Sequence, residues 1–120
     1  IRTRVGEDYR DVDTIAAADV LVTYTVDVVP DEATAARLKD WVASGRRWLA
    51  LHGTNSILKW SKPHKAWEAP RRAPLFMETL GSQFLSHPPI APYRVEVTRP
   101  DHPLVAGIEP FDADDELYLS

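Results

Sequence analysis

The chain of 120 residues contains no cysteine. That absence excludes disulfides, thiolate metal sites and a cysteine nucleophile together, and it fits a cytoplasmic setting. No run approaches the roughly 18 apolar residues of a membrane span, so no membrane partner is expected. No signal peptide is visible, and the chain opens at Ile1 rather than at methionine, so a preceding segment is expected to be missing. No internal repeat and no low-complexity segment occurs. No basic stripe runs along the chain, whose 14 basic and 18 acidic residues leave a net charge of −4, so nucleic acid is not an expected partner. The one basic cluster, Arg71 and Arg72 with Lys59, Lys62 and Lys65 upstream, lies in a proline-rich stretch and reads as a solvated loop. No compact ligand motif of the H-E-x-x-H kind is present.

What remains is an ordinary globular balance of 44% apolar and 27% charged residues, enough for one domain with one core. Residues 1–5 alternate apolar and charged, the pattern of an edge strand. Asp11 to Ala18 reads as a short helix or turn. Val20-Leu21-Val22-Thr23-Tyr24 is an apolar, β-branched run suited to a strand buried on both faces. Pro30-Asp31-Glu32 starts a helix with Asp31 as N-cap. Ala35, Leu38, Trp41 and Val42 share one face, and Gly45 ends the helix. Trp48-Leu49-Ala50-Leu51-His52 is a second buried strand, completing a βαβ unit whose strands should be parallel. The stretch 61–74, with Pro63, Pro70 and Pro74, reads as irregular surface. Leu75 to Leu80 is a short helix closed by Gly81. Tyr93 to Val97 alternates as a half-buried strand, and Leu117-Tyr118-Leu119 reads as a last one. The class is α/β.

In open parallel sheets, ligands bind beyond the carboxyl ends of the strands, which is where His52, Gly53 and Thr54 fall. Gly53 would let the backbone turn sharply and expose amides, Thr54 and Ser56 offer hydroxyls, and a helix starting nearby would add a positive dipole end. His87, His102 and the Asp114-Asp115-Glu116 run supply further polar groups. Histidine serves as acid, base or metal ligand near neutral pH, and carboxylates orient a histidine or bind a metal. The structural alternative for each is a capping or turn residue, His102 before Pro103 especially. His64 reads as surface.

Taken in order, these segments resemble the ThuA-like family, named for trehalose utilisation. The resemblance is carried by Ala18-Asp19-Val20-Leu21-Val22, the helix closing at Ser44-Gly45, and Trp48-Leu49-Ala50-Leu51-His52-Gly53. It continues through Leu80-Gly81-Ser82-Gln83-Phe84-Leu85-Ser86-His87-Pro88, Asp101-His102-Pro103-Leu104-Val105-Ala106-Gly107-Ile108 and Asp115-Glu116-Leu117-Tyr118. It implies a flavodoxin-like three-layer α/β/α fold with a mainly parallel sheet, within the class I glutamine amidotransferase-like superfamily. In those relatives a cysteine sits at the turn after the central strand. Here that turn holds His52-Gly53-Thr54, so thiolate glutamine hydrolysis is not available. By comparison with the family the chain lacks the first strand and helix and the last strand, so 1–120 is expected to be one partial ThuA-like domain.

The resemblance implies a carbohydrate partner, a disaccharide such as trehalose or a keto-sugar. His52, His87 and Glu116 are the expected catalytic residues, one histidine as acid or base. Gly53, Thr54, His102, Asp115 and Tyr118 are the expected substrate-binding residues. Trp60 or Trp67 would stack on an apolar sugar face, the structural alternative being a packing anchor, the commoner role of a loop tryptophan. A variant places a divalent metal such as zinc on the same histidines and Glu116. The alternative is a non-catalytic sugar-binding or interaction domain, and a homo-oligomer is compatible with either.

Overall fold

Helix α1 (Val12–Ala17) precedes strand β1 (Val20–Tyr24), helix α2 (Glu32–Ala43) and strand β2 (Arg47–Leu51) in a computed structural model that describes residues 1–120, the side chain of Ala66 excepted. A four-residue 3₁₀ turn (His52–Asn55), strands β3 (Lys59–Ser61) and β4 (Ala66–Glu68) and helix α3 (Pro74–Leu80) come next. Strands β5 (Ala91–Val95) and β6 (Phe111–Asp115) come last. The chain divides into two units, Ile1–Leu85 with Ser120, and Ser86–Leu119.

In the first unit, β1 and β2 pair in parallel register from Val20 opposite Arg47 to Tyr24 opposite Leu51. This is the expected βαβ unit. Its helix α2 begins where Asp31 accepts a hydrogen bond from the Thr34 amide at 2.7 Å, leaving one fewer first-turn donor unpaired. That bond holds the Asp31 carboxyl below its ordinary value of 3.8. A carboxyl depressed in the folded state contributes stability above its unfolded pKa and loses it as pH falls through the folded value. Asp31→Ala is therefore expected to lower the melting temperature at neutral pH, with the difference closing in strong acid. Equal melting curves at pH 7 would remove the cap from the account. The helix buries Ala35, Leu38 and Trp41 and ends at Gly45, whose φ of +92° suits glycine.

The core joins Tyr9, Ala35, Leu38, Ile57, Phe76 and Met77, with Leu21 and Trp48 packed against it. Tyr9 meets Phe76 and Trp48 edge-on, at ring-centroid distances of 5.4 and 6.2 Å. Burial pushes the Tyr9 hydroxyl up, partly offset by the hydroxyls of Thr25 and Thr23. Helix α3 starts with Pro74 at its first turn and stops at Gly81, φ +84°.

Three expectations change in this unit. Residues 1–5 form no strand. The β1 and β2 strands are covered on one face only: Leu21, Thr23 and Trp48 turn inward, while Val20, Val22, Tyr24, Leu49 and Leu51 are exposed. An apolar run suits two-sided burial, but a parallel pair with one helix layer covers one side. Part of the stretch read as irregular is a hairpin, with β3 antiparallel to β4 and Trp60 opposite Trp67. Its Pro63 sits in the connecting turn, where a missing donor costs nothing.

In the second unit, β5 and β6 are antiparallel, with Tyr93 opposite Ala113. Arg94 meets Asp112 across the pair at 3.2 Å. Strand β5 starts earlier than the alternation suggested and stops at Val95. The last strand forms on Phe111–Asp115 rather than on Leu117-Tyr118-Leu119, of which Leu119 alone bridges, to Ser86. Pairing across the turn, with opposite charges at Arg94 and Asp112, outweighs the weak strand preference of aspartate. The α/β class holds; one two-stranded sheet is parallel and the other two are antiparallel. No helix among the described residues is long and apolar enough to cross a membrane.

Candidate functional site

His52 stands at the carboxyl end of β2, where the parallel pair stops. Its φ is +52°, a left-handed conformation that costs a non-glycine residue energy and is held only where surroundings enforce it. The imidazole stacks on Tyr24, the last residue of β1, with ring centroids 5.0 Å apart and planes at 11°. The sharp turn is thus made by His52 itself.

Gly53 has an ordinary φ of −80°. Its role is space: a Cβ there would lie 2.5 Å from Val26 Cγ2 and 3.1 Å from the Thr25 carbonyl oxygen. Gly53→Ala is expected to cost about 1–3 kcal/mol through overpacking. Thermal melts of Gly53→Ala and of Gly53→Ala/Val26→Ala check it, the second change returning part of the loss. No recovery would place the cost elsewhere.

Thr54 is buried, and its hydroxyl donates to the Leu51 carbonyl at 2.8 Å. The Thr23 hydroxyl lies 3.1 Å from it and accepts from Trp48 Nε1 at 2.9 Å. Thr54 therefore ties the turn to both strands. Ser56 is buried too, its carbonyl accepting from the Asp27 amide at 3.0 Å. The expected helix dipole is absent at this point: after β2 the chain makes one 3₁₀ turn and then runs extended, too short a helix to sum peptide dipoles.

The Gly-x-x-Phe segment anchors the chain before His87. Gln83 Nε2 donates to the Pro70 carbonyl at 2.8 Å, and the amide of buried Phe84 donates to the Asn55 carbonyl at 3.1 Å.

In the second unit the Leu119 amide donates to the Ser86 carbonyl at 2.9 Å. This bridge brings the residues after Ser86 beside those before Leu119. His87 Nε2 lies 3.7 Å from Glu116 Oε1, in ion-pair range, with both side chains about one-third exposed. Tyr118 stacks on the His87 ring, centroids 6.2 Å apart and planes at 25°. His87 Nδ1 is 2.8 Å from the Pro88 carbonyl. A carbonyl only accepts, so in this contact Nδ1 is the donor and carries a proton. The Asp115 carboxylate accepts from the Glu116 amide at 2.8 Å, fixing the backbone from which Glu116 projects.

His102 Nδ1 accepts from the Leu104 amide at 3.2 Å, as a turn residue would. Its ring also lines a cavity of about 330 Å³ with an apolar floor that includes Val95, Val105 and Phe111. His64 is exposed and paired with Glu68. Of the expected residues, His87, Glu116 and Tyr118 come together; His52, Gly53 and Thr54 share one turn in the other unit.

Among the described residues no three His, Cys, Asp or Glu side chains gather into a group able to hold a metal ion.

Over residues 2–120 the chain matches the family described as ThuA, trehalose utilisation. The chain belongs to the ThuA family. Searches of curated proteins and of solved structures found no match. Membership agrees with the glutamine amidotransferase-like superfamily, and a ThuA domain suggests a role related to trehalose utilisation. Two features of this ThuA chain escaped the sequence reading, the Tyr24 ring under His52 and the opposed tryptophans of the hairpin. The second had a signal: Lys-Trp-Ser and Ala-Trp-Glu flank a Pro63 turn almost symmetrically.

Proposed function

We propose that this ThuA-family chain acts on a carbohydrate, a disaccharide of the trehalose type or a keto-sugar, by acid–base chemistry at His87. The observation that carries the reading is the His87–Glu116 contact at 3.7 Å, with Tyr118 against the ring. With Nδ1 committed to the Pro88 carbonyl, proton transfer runs through Nε2. Glu116 holds the imidazole in that orientation and balances its charge when protonated. His52 is the second acid–base candidate, presented at its strand end by a strained turn. Gly53 and Thr54 shape that turn; Asp115 sets the Glu116 backbone. His102 contributes to sugar binding from the cavity it lines.

The same reading takes residues 1–120 as one ThuA-like domain of flavodoxin-like three-layer architecture. It is supported by the parallel βαβ unit and by a family match running through both units.

The test is turnover of a panel of disaccharides and keto-sugars, trehalose included, by the complete protein and by His87→Gln. Full turnover by the variant sinks the catalytic assignment. Sugar retained without turnover by the unaltered protein replaces it with a binding domain.

A further inference from the structure

Trp60 and Trp67 are directly opposed across the β3–β4 hairpin. Their ring centroids are 5.5 Å apart and their planes meet at 70°. Such an edge-to-face pair stabilises a hairpin, which is marginal when it has only two strands. It does not account for the exposure: Trp60 remains 47% and Trp67 67% exposed, whereas Trp41 in the core is 8% exposed. Large rings left in water forgo about 25 cal/mol for each Å² of apolar area.

The geometry offers a use. Two nearly perpendicular indoles form a corner with the face of one ring as a wall and the edge of the other beside it. An indole edge carries an N–H donor. A pyranose has the matching surface: a patch of C–H groups on one side and hydroxyls around its rim. Sites for such ligands pair aromatic walls with a few placed polar groups. Across the turn that presents the corner His64 Nδ1 meets Glu68 Oε1, and Lys59 stands opposite Glu68 in the register. Rigid presentation limits the entropy lost on binding.

We infer that the Trp60–Trp67 corner is a carbohydrate-binding platform that takes a pyranose ring. The inference rests on the carbohydrate reading above for its ligand class and is independent of the chemistry at His87.

The experiment titrates the complete protein with trehalose, with glucose and with sorbitol, an open-chain polyol lacking the ring, and follows tryptophan fluorescence and heat. Trehalose and glucose are expected to give a saturable change, and sorbitol none. Trp67→Ala is expected to weaken binding roughly tenfold, the scale of one aromatic contact, and Trp67→Tyr to keep most of it. Melting curves of each variant ensure that a folded protein is compared. Equal binding by Trp67→Ala, an equal response to sorbitol, or no response to either sugar overturns the platform. The two readings fail separately. If His87→Gln loses turnover but keeps the fluorescence change, both stand; if the unaltered protein turns sugar over and Trp67→Ala binds the sugars as tightly as it does, the platform alone falls. With neither turnover nor binding in the unaltered protein, the carbohydrate reading falls with it.

Discussion

His87→Gln is expected to lower sugar turnover by about 10²–10⁴-fold, the usual worth of a positioned acid or base. Glutamine keeps a polar side chain of similar reach beside Glu116 and Tyr118, yet it cannot exchange a proton. The loss should therefore appear in kcat, with KM changed little, because an interaction made only in the transition state is removed. Glu116→Gln should cost less in kcat, since the imidazole remains and only its oriented carboxylate partner at 3.7 Å is gone. Steady-state kinetics of the two variants and of the double variant check this. Residues acting as one unit give losses that do not add, so a double variant worse by the full product of both effects would dissolve the pair. A rise in KM alone would make His87 a binding residue.

Phe76→Ala is expected to destabilise the first unit by about 3–5 kcal/mol. Phe76 is fully buried and meets Tyr9 and Trp48 as well as the aliphatic core. Removing its ring loses both transfer free energy and packing, and the neighbours come from separate elements that do not readily close the gap. Against a total stability of about 5–15 kcal/mol, this is a large share. Urea unfolding followed by tryptophan fluorescence reports on the right region, because Trp41 is buried and Trp48 packs on the same core. Leu104→Ala is the control: that side chain is 83% exposed, and its loss should fall within about 0.5 kcal/mol. A midpoint for Phe76→Ala as close to the unaltered protein as the control's would mean that the core collapses around the vacancy.

Local chemistry was legible where a single segment decides the outcome. Asp31 caps α2, Gly45 and Gly81 end helices with positive φ, and Val20–Tyr24 and Arg47–Leu51 become parallel strands about a helix. The caps and helix ends depend on residues within a turn or two of one another, and the parallel pair was legible from two apolar runs with a helix between them. The family resemblance was likewise carried by ordered short motifs, and the match over residues 2–120 agrees with it. Burial was misjudged at Val20, Val22 and Leu49, because periodicity reports a strand's preference and not how many layers cover it. The Asp-rich segment became a strand through a partner remote in sequence, Ala91–Val95, which no local propensity encodes.

The candidate site divides in the same way. The sequence by itself determined which acids, bases and hydroxyls are present, that no thiol is among them, and that His52 comes directly after a buried-type strand. Only the tertiary structure decided that Gly53 serves close packing, that Thr54 spends its hydroxyl on Leu51, and that Glu116 faces His87 with Tyr118 on its ring. The physical reason is that hydrogen bonds and ion pairs act over a few ångströms. His87 and Glu116 are far apart along the chain, and they come within that range through the backbone bridge from Leu119 to Ser86 and the pairing of β5 with β6.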